Sequence, residues 1–289
     1  MRVIDETIRT YQATPGASVV VQPSQLIPNY GPLFGLWLDL SVTLTGATAS
    51  KTSQTIDNII QTWEIDDQFG KAVIGNALGT DVTILNDLLT PHGVRQAPPA
   101  ITTDSGGAGA AEWYLFLPIT VGAADLGGTA QIKVTFNGST ALTTAGQLTS
   151  AGTVNVNLNV RGGYSIGQDQ ATLRIQLVNP AHSQGDNNWQ AYLPNGFQME
   201  GLAFVLTGGD GDFGYLTFFQ GGATFATQAP LHDFTSNDTM LMQSGHLSGE
   251  FICRFPIFVV DSTTIFTVNL ANDTPVRIYS IATTPQARK

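Results

Sequence analysis

Glu112-Trp-Tyr-Leu-Phe-Leu-Pro-Ile-Thr-Val121 decides how the chain is read, because it returns near the C-terminus as Glu250-Phe-Ile-Cys-Arg-Phe-Pro-Ile-Phe-Val259. In each copy a Glu opens an aromatic-rich run, and a Pro-Ile pair follows at Pro118 and Pro256. Trp, Tyr, Phe and Ile suit a pleated, half-buried surface, and Pro is tolerated there only at an edge or an end. Two such strands, close to half a chain length apart, predict a duplicated all-β unit.

A second echo lies upstream of each copy. Leu40-Ser-Val-Thr-Leu-Thr-Gly46 matches Leu202-Ala-Phe-Val-Leu-Thr-Gly208, and both read as strands that end at a glycine. An apolar-aromatic stretch follows each: Ile59–Ile65 in the first half, Tyr215–Phe219 in the second. Ile56, Ile59, Ile60 and Trp63 fit a helical stripe as well as a strand, and the aromatic counterpart favours strand. Short helical spacings come next. Val82, Leu85, Leu88 and Leu89 follow the caps Thr80 or Asp81, and Phe234, Met240 and Leu241 form the second, with Thr235, Ser236 or Asn237 as caps. The period is too long for a solenoid, so it implies two homologous domains.

Residues 1–17 hold few apolar anchors, end at Pro15-Gly16 and read as an N-terminal arm. Residues 18–164 are expected to form a first β-domain, and 165–289 a second with a C-terminal tail. Arg161–Gln170 reads as the linker. Gln96–Gly109, rich in Pro, Gly, Ala and Thr, reads as a loop, as does the polar Asn179–Asn188. Thr129–Phe136 and Thr153–Val160 alternate strictly, as strands with one buried face should. About eight strands per half, with one helix between the fourth and fifth, predict two tandem eight-stranded antiparallel jelly rolls in an all-β fold.

Hydrophobic residues make up 42% of the 289 positions, enough for real cores, while charged residues are only 12%. That shortage points to a surface that is neutral or buried against partners. A formal net charge of −10 argues against general nucleic-acid binding, which needs clustered Lys and Arg. The single cysteine, Cys253, forms no internal disulfide. No apolar run is long enough to cross a bilayer, and the charged N-terminus does not read as a signal peptide, so synthesis in the cytoplasm is expected. The sequons at Asn137, Asn237 and Asn272 then read as chance.

No catalytic constellation emerges. Gly209-Asp-Gly-Asp-Phe-Gly214 matches a dinucleotide-binding pattern in form, but no helix follows and Asp210 and Asp212 would repel a pyrophosphate, so a tight acidic turn is the better reading. The histidines His92, His182, His232 and His246 lack the close spacing of a metal site. Cys253 sits in an apolar strand and reads as an inert thiol. Glu112 and Glu250 imitate a carboxylate dyad only if the two domains bring them together, and they read as rim charges. No catalytic, cofactor-binding or metal residue is assigned.

Leu40–Gly46 with Leu202–Gly208, Val82–Leu89 with Phe234–Leu241, and Glu112–Val121 with Glu250–Val259 form a pattern of elements. It resembles the double jelly-roll major capsid proteins of tailless icosahedral viruses, many of which enclose an internal membrane. The resemblance covers about residues 18–285 and rests on elements rather than a signature motif. It implies a non-enzymatic structural protein of the virion, in which homotrimers act as pseudo-hexagonal capsomers and build a capsid lattice. It further implies assembly in the host cytoplasm, with a bacteriophage as the expected source. Partners would be other copies, other capsid or vertex proteins and internal membrane lipid, without sequence-specific nucleic-acid contact. Arg2, Arg9, Arg288 and Lys289 are the candidate cations facing that lipid. A carbohydrate-binding or receptor-binding β-sandwich is the alternative, with Trp189 and Tyr192 as its candidate exposed aromatics.

Overall fold

A computed structural model describes residues 2–47, 54–89, 97–104, 106–142, 148–166, 170–193, 195–220, 223–230 and 249–283, without side chains for 2–4, 87, 148–151, 200, 220, 223–230 and 251–258. The chain divides into two compact units: Met1–Asn86 with Gln96–Gln170, and Asp87–Arg95 with Ala171–Lys289.

In the first unit, β1 (Arg2–Ala13), β9 (Leu148–Ile166), β4 (Leu33–Ala47) and β7 (Gly109–Leu117) lie side by side in that order as one antiparallel sheet. The second sheet places β2 (Val20–Val21) and β3 (Gln25–Leu26) on β8 (Gln131–Phe136), followed by β5 (Ile60–Asp66) and β6 (Ala72–Leu78). Counting β2 and β3 as one lane and lettering the lanes B to I in chain order, the sheets read B-I-D-G and C-H-E-F.

The second unit repeats this connectivity. β10 (Leu173–Val178), β17 (Val276–Thr283), β12 (Gln198–Leu206) and β15 (Glu250–Val259) give B-I-D-G. β11 (Gly185–Asn188), β16 (Ile265–Leu270), β13 (Phe213–Gln220) and β14 (Ala223–Pro230) give C-H-E-F. Each unit is thus a jelly roll, and the sequence echoes fall on matching lanes. Leu40 and Leu202 lie on the two D lanes, Ile60–Ile65 and Tyr215–Phe219 on the two E lanes, and Glu112 and Glu250 on the two G lanes.

Alternation builds the cores. Leu36, Leu38, Leu40, Val42 and Leu44 of β4 are buried while Trp37, Asp39, Ser41 and Thr43 between them are half-buried or exposed. Val154, Val156, Leu158 and Val160 of β9 and Ile132, Val134 and Phe136 of β8 point inward likewise. The second core gathers Trp189, Met199, Leu202, Phe204, Phe213, Phe218, Phe266 and Ile278. Pro256 sits on the edge strand β15 where its register against β12 shifts, a position that asks no ladder hydrogen bond of it.

Several expectations are corrected. Residues 2–13 are not an arm but lane B, and this adds a lane ahead of the helix. The helix α1 (Val82–Leu89) therefore falls between the fifth and sixth lanes, F and G, rather than the fourth and fifth. The stretch read as linker up to Ile166 continues β9, and the division between units falls after Gln170. Ile56–Ile59 is a buried 3-10 turn leading into β5, which explains why its spacing fitted both helix and strand. Gly185–Asn188, read as loop, forms β11. The second short helix, at 234–241, lies outside the described residues.

Candidate functional site

Several ionisable groups among the described residues are spent on structure. Asp210 Oδ1 accepts the Gly249 backbone N–H at 2.7 Å, and Asp212 Oδ1 accepts from Asn272 Nδ2 at 2.9 Å, so the acidic turn ties neighbouring loops together. Lys133 Nζ bridges Asp66 at 2.5 Å and Glu64 at 2.9 Å across β8 and β5, and these bonds, Asp66 first, raise its pKa. Asp57 and Asp81 are buried on consecutive 3-10 turns, and burial pushes the Asp57 carboxyl up. Asp186 is held below the usual carboxylate range by Asn269 and then Tyr215, both within 2.7 Å.

Among the described residues no group of three His, Cys, Asp or Glu is placed to hold a metal ion. His182 Nδ1 lies 2.7 Å from Asp273 Oδ1. His92, His232, His246 and the Cys253 side chain lie outside the described residues. Glu112 accepts a hydrogen bond from Tyr114 on its own strand at 2.8 Å, and Glu250 opens β15 in the other unit. Trp189 is buried and donates its Nε1–H to the Ala181 carbonyl at 2.9 Å, and Tyr192 is only partly exposed. The aromatic platform of a sugar site is therefore built into the core.

The extended surfaces are the sheet faces, their edges and the loops. The outer face of the β1-β9-β4-β7 sheet carries cross-strand rows of polar residues: Gln12, Asn157, Ser41 and Glu112 in one, Thr10, Asn159 and Asp39 in the next. Partial burial raises the Asp39 pKa, with Arg161 opposing and Glu112 adding to it. A shallow open groove of about 450 Å³ runs along Gln12, Thr14, Ser41, Thr43, Asn155 and Asn157. At one side of this face the Arg161 guanidinium lies 5.8 Å from the Trp37 ring, which packs on Phe116 and Phe34, and Arg161 pairs with Asp5 at 2.8 Å. A groove of similar size in the second unit is lined by Asn188, Gln190, Leu193, Asn195, Asp261 and Ser262.

Of the candidate lipid-facing cations, Arg9 is exposed on β1, bonded to Gln25 Oε1 at 3.3 Å and stacked 5.8 Å from the Tyr11 ring. Arg2 opens β1 opposite Ile166. Arg288 and Lys289 lie outside the described residues. Sequence reasoning missed Phe69, whose ring is 68% exposed at the tip of the β5–β6 hairpin; a Phe beside Gly70 and Lys71 in a turn was the available signal.

No protein-family model matches the sequence, and no curated protein matches it. Solved structures do match in fold. The STIV MCP superposes with a TM-score of 0.73 at 12% identity, over 98% of this chain and 97% of that one. A chain from the atomic structure of Sulfolobus Turreted Icosahedral Virus gives 0.72 at 13% identity, covering 98% and 91%. The major capsid protein P2 from bacteriophage PM2 gives 0.57 at 10% identity, covering 100% and 99%. The chain shares the architecture of these proteins along its whole length.

Proposed function

We propose that this chain is the major structural protein of an icosahedral virus shell, with three copies forming a pseudo-hexagonal capsomer from six jelly rolls. The observation that carries this reading is the same eight-lane connectivity found twice in one chain, superposing end to end on the STIV MCP. A ring of three needs a heterologous contact, in which different patches of neighbouring copies meet. A chain with two similar units presents six similar lateral faces in such a ring, and the rows of hydrogen-bonding side chains on the outer face of the first unit are suited to contact there. No enzymatic role is proposed. The place of action is the virion capsid, a bacteriophage remains the proposed source, and other capsid or vertex proteins are the expected further partners.

We carry the lipid reading of Arg2, Arg9, Arg288 and Lys289 as part of this proposal, with Arg9 contributing from a strand rather than from a free arm. The sugar-binding alternative is set aside, because Trp189 is enclosed by the second core. Sedimentation velocity on purified protein tests the shell role. A species of three times 30.7 kDa supports it, and a monomer over the whole micromolar range overturns it.

A further inference from the structure

We propose that Asp57 is a proton-operated latch of the first unit, closed while its carboxyl keeps a proton and loosened when that proton leaves. Asp57 sits on the 3-10 turn Ile56–Ile59, is 4% exposed, and its Oδ1 finds no hydrogen-bond partner among the described residues. A buried carboxylate oxygen without a donor is costly as an anion, whereas the neutral acid leaves only a carbonyl-like oxygen unpaired. The turn packed against it brings a second acid. Asp81, 3% exposed, ends the turn Gly79–Asp81, and its charge works against ionisation of Asp57. The two turns meet backbone to backbone: a Cβ added to Gly79 would lie 2.6 Å from the Asp57 carbonyl oxygen and closer still to that of Ile60. Solvent ions screen two buried groups poorly, so the repulsion between them is felt.

The surrounding elements bring more acids or none. Segment 97–101, held by the Ile56 N–H on the Pro99 carbonyl at 3.1 Å, and the turn Ser139–Ala141 contain no ionisable residue. Asn137, which donates Nδ2 to the Asn58 carbonyl at 2.8 Å, is neutral. β7 carries Glu112, bonded to Tyr114, and β5 carries Glu64 and Asp66, both engaged by Lys133. α1 adds Asp87, whose side chain lies outside the described residues. Burial pushes the Asp57 carboxyl up from its ordinary 3.8, against Thr55 and the Asp57 and Asn58 backbone N–H groups, with Asp81 adding to the rise. Between 3.8 and the raised value the native chain keeps a proton that the unfolded chain has lost. The latch is therefore fully closed below about pH 4 and opens as pH rises through that window. What it holds is the start of α1. Asp81 leads directly into that helix, where Val82, Ile84 and Leu85 are buried and Asn86 Nδ2 donates to the Phe116 carbonyl of β7 at 2.7 Å. Charging Asp57 beside Asp81 strains this junction between lanes F and G.

This inference goes beyond the shell reading and stands whether the chain is a monomer or a trimer in solution. The test is hydrogen exchange of the full chain at pH 5 and pH 8, corrected for the intrinsic pH dependence of exchange and read on peptides covering 55–66 and 78–86. Wild-type protection in these peptides should fall several-fold at pH 8, while peptides from β4 and β9 keep theirs. Asp57→Asn, which cannot ionise, should hold its protection at both pH values. It should also raise the melting temperature by a few degrees at pH 8 and by less at pH 5. Asp81→Asn leaves Asp57 in place, removes the charge beside it and should shrink the fall. Protection in wild type that does not change with pH overturns the inference, as does a fall of equal size in Asp57→Asn. Should Asp57→Asn not fold, Asp81→Asn decides, and an undiminished fall there overturns it. A fall shared by every peptide of the first unit also overturns it, because the unit as a whole would then be titrating.

Discussion

Tyr11 offers the sharpest test of whether residues 2–13 belong to the first jelly roll. Its side chain is 1% exposed, and its hydroxyl donates to the Ile132 carbonyl at 3.3 Å, reaching from β1 in one sheet to β8 in the other. Tyr11→Ala removes a whole buried ring, for which large-to-small core substitutions of aromatics cost about 3–5 kcal/mol. Tyr11→Phe removes only the hydrogen bond, worth about 1 kcal/mol. With a urea slope of about 2 kcal/mol per molar, the alanine variant should lower the unfolding midpoint by about 2 M and the phenylalanine variant by about 0.5 M. Equilibrium urea unfolding followed by fluorescence measures both. A tyrosine on a solvated arm would leave stability within about 0.5 kcal/mol of wild type for either change, and that result would refute the placement of β1.

Burial pushes the Tyr11 phenol up to about 12, with Arg9 opposing, against about 10 in the unfolded chain. Its contribution is therefore intact below pH 10 and is lost as pH rises from 10 to 12, by about 2–3 kcal/mol, because only the unfolded chain ionises in that window. Buried Tyr164 shifts in the same direction, so wild-type stability should fall steeply above pH 10 and that of Tyr11→Phe less steeply; equal slopes would count against the burial. Lys133→Gln strips Glu64 and the mostly buried Asp66 of their cation and should cost about 1 kcal/mol by thermal melting, whereas no change would mean the pair is solvated. Asp212→Ala should lower the melting temperature by a few degrees, and calcium or chelator should not move the wild-type value. A calcium-dependent rise lost in Asp212→Ala would replace the acidic turn with a cation site.

The lanes legible in the sequence were those whose side chains alternate or cluster: the two D strands, the two E strands, the two G strands, and β8 and β9. β1 was hidden for a physical reason. Its register against β9 shifts between Thr7 and Arg9, so the buried residues Ile8 and Tyr11 fall three apart and the period of two is lost. Its exposed residues include Asp5, Glu6 and Arg9, charges of the kind an edge strand uses to discourage wrong pairing. β11 was hidden because its buried member is Asn187, whose side chain is satisfied by Ser183 and Gly185 carbonyls rather than by apolar contact. Trp189 read as an exposed aromatic because polar neighbours surround it in sequence, while the core that encloses it comes from distant strands. Assembly surfaces were the least legible, since a neutral sheet face has no motif and its meaning comes from a partner's shape.

Electron microscopy of single particles in solution addresses the tiling claim most directly. The account predicts end-on class averages with six lobes and threefold symmetry, each copy contributing two adjacent lobes. Isolated two-lobed particles at concentrations where the protein is fully folded would contradict it.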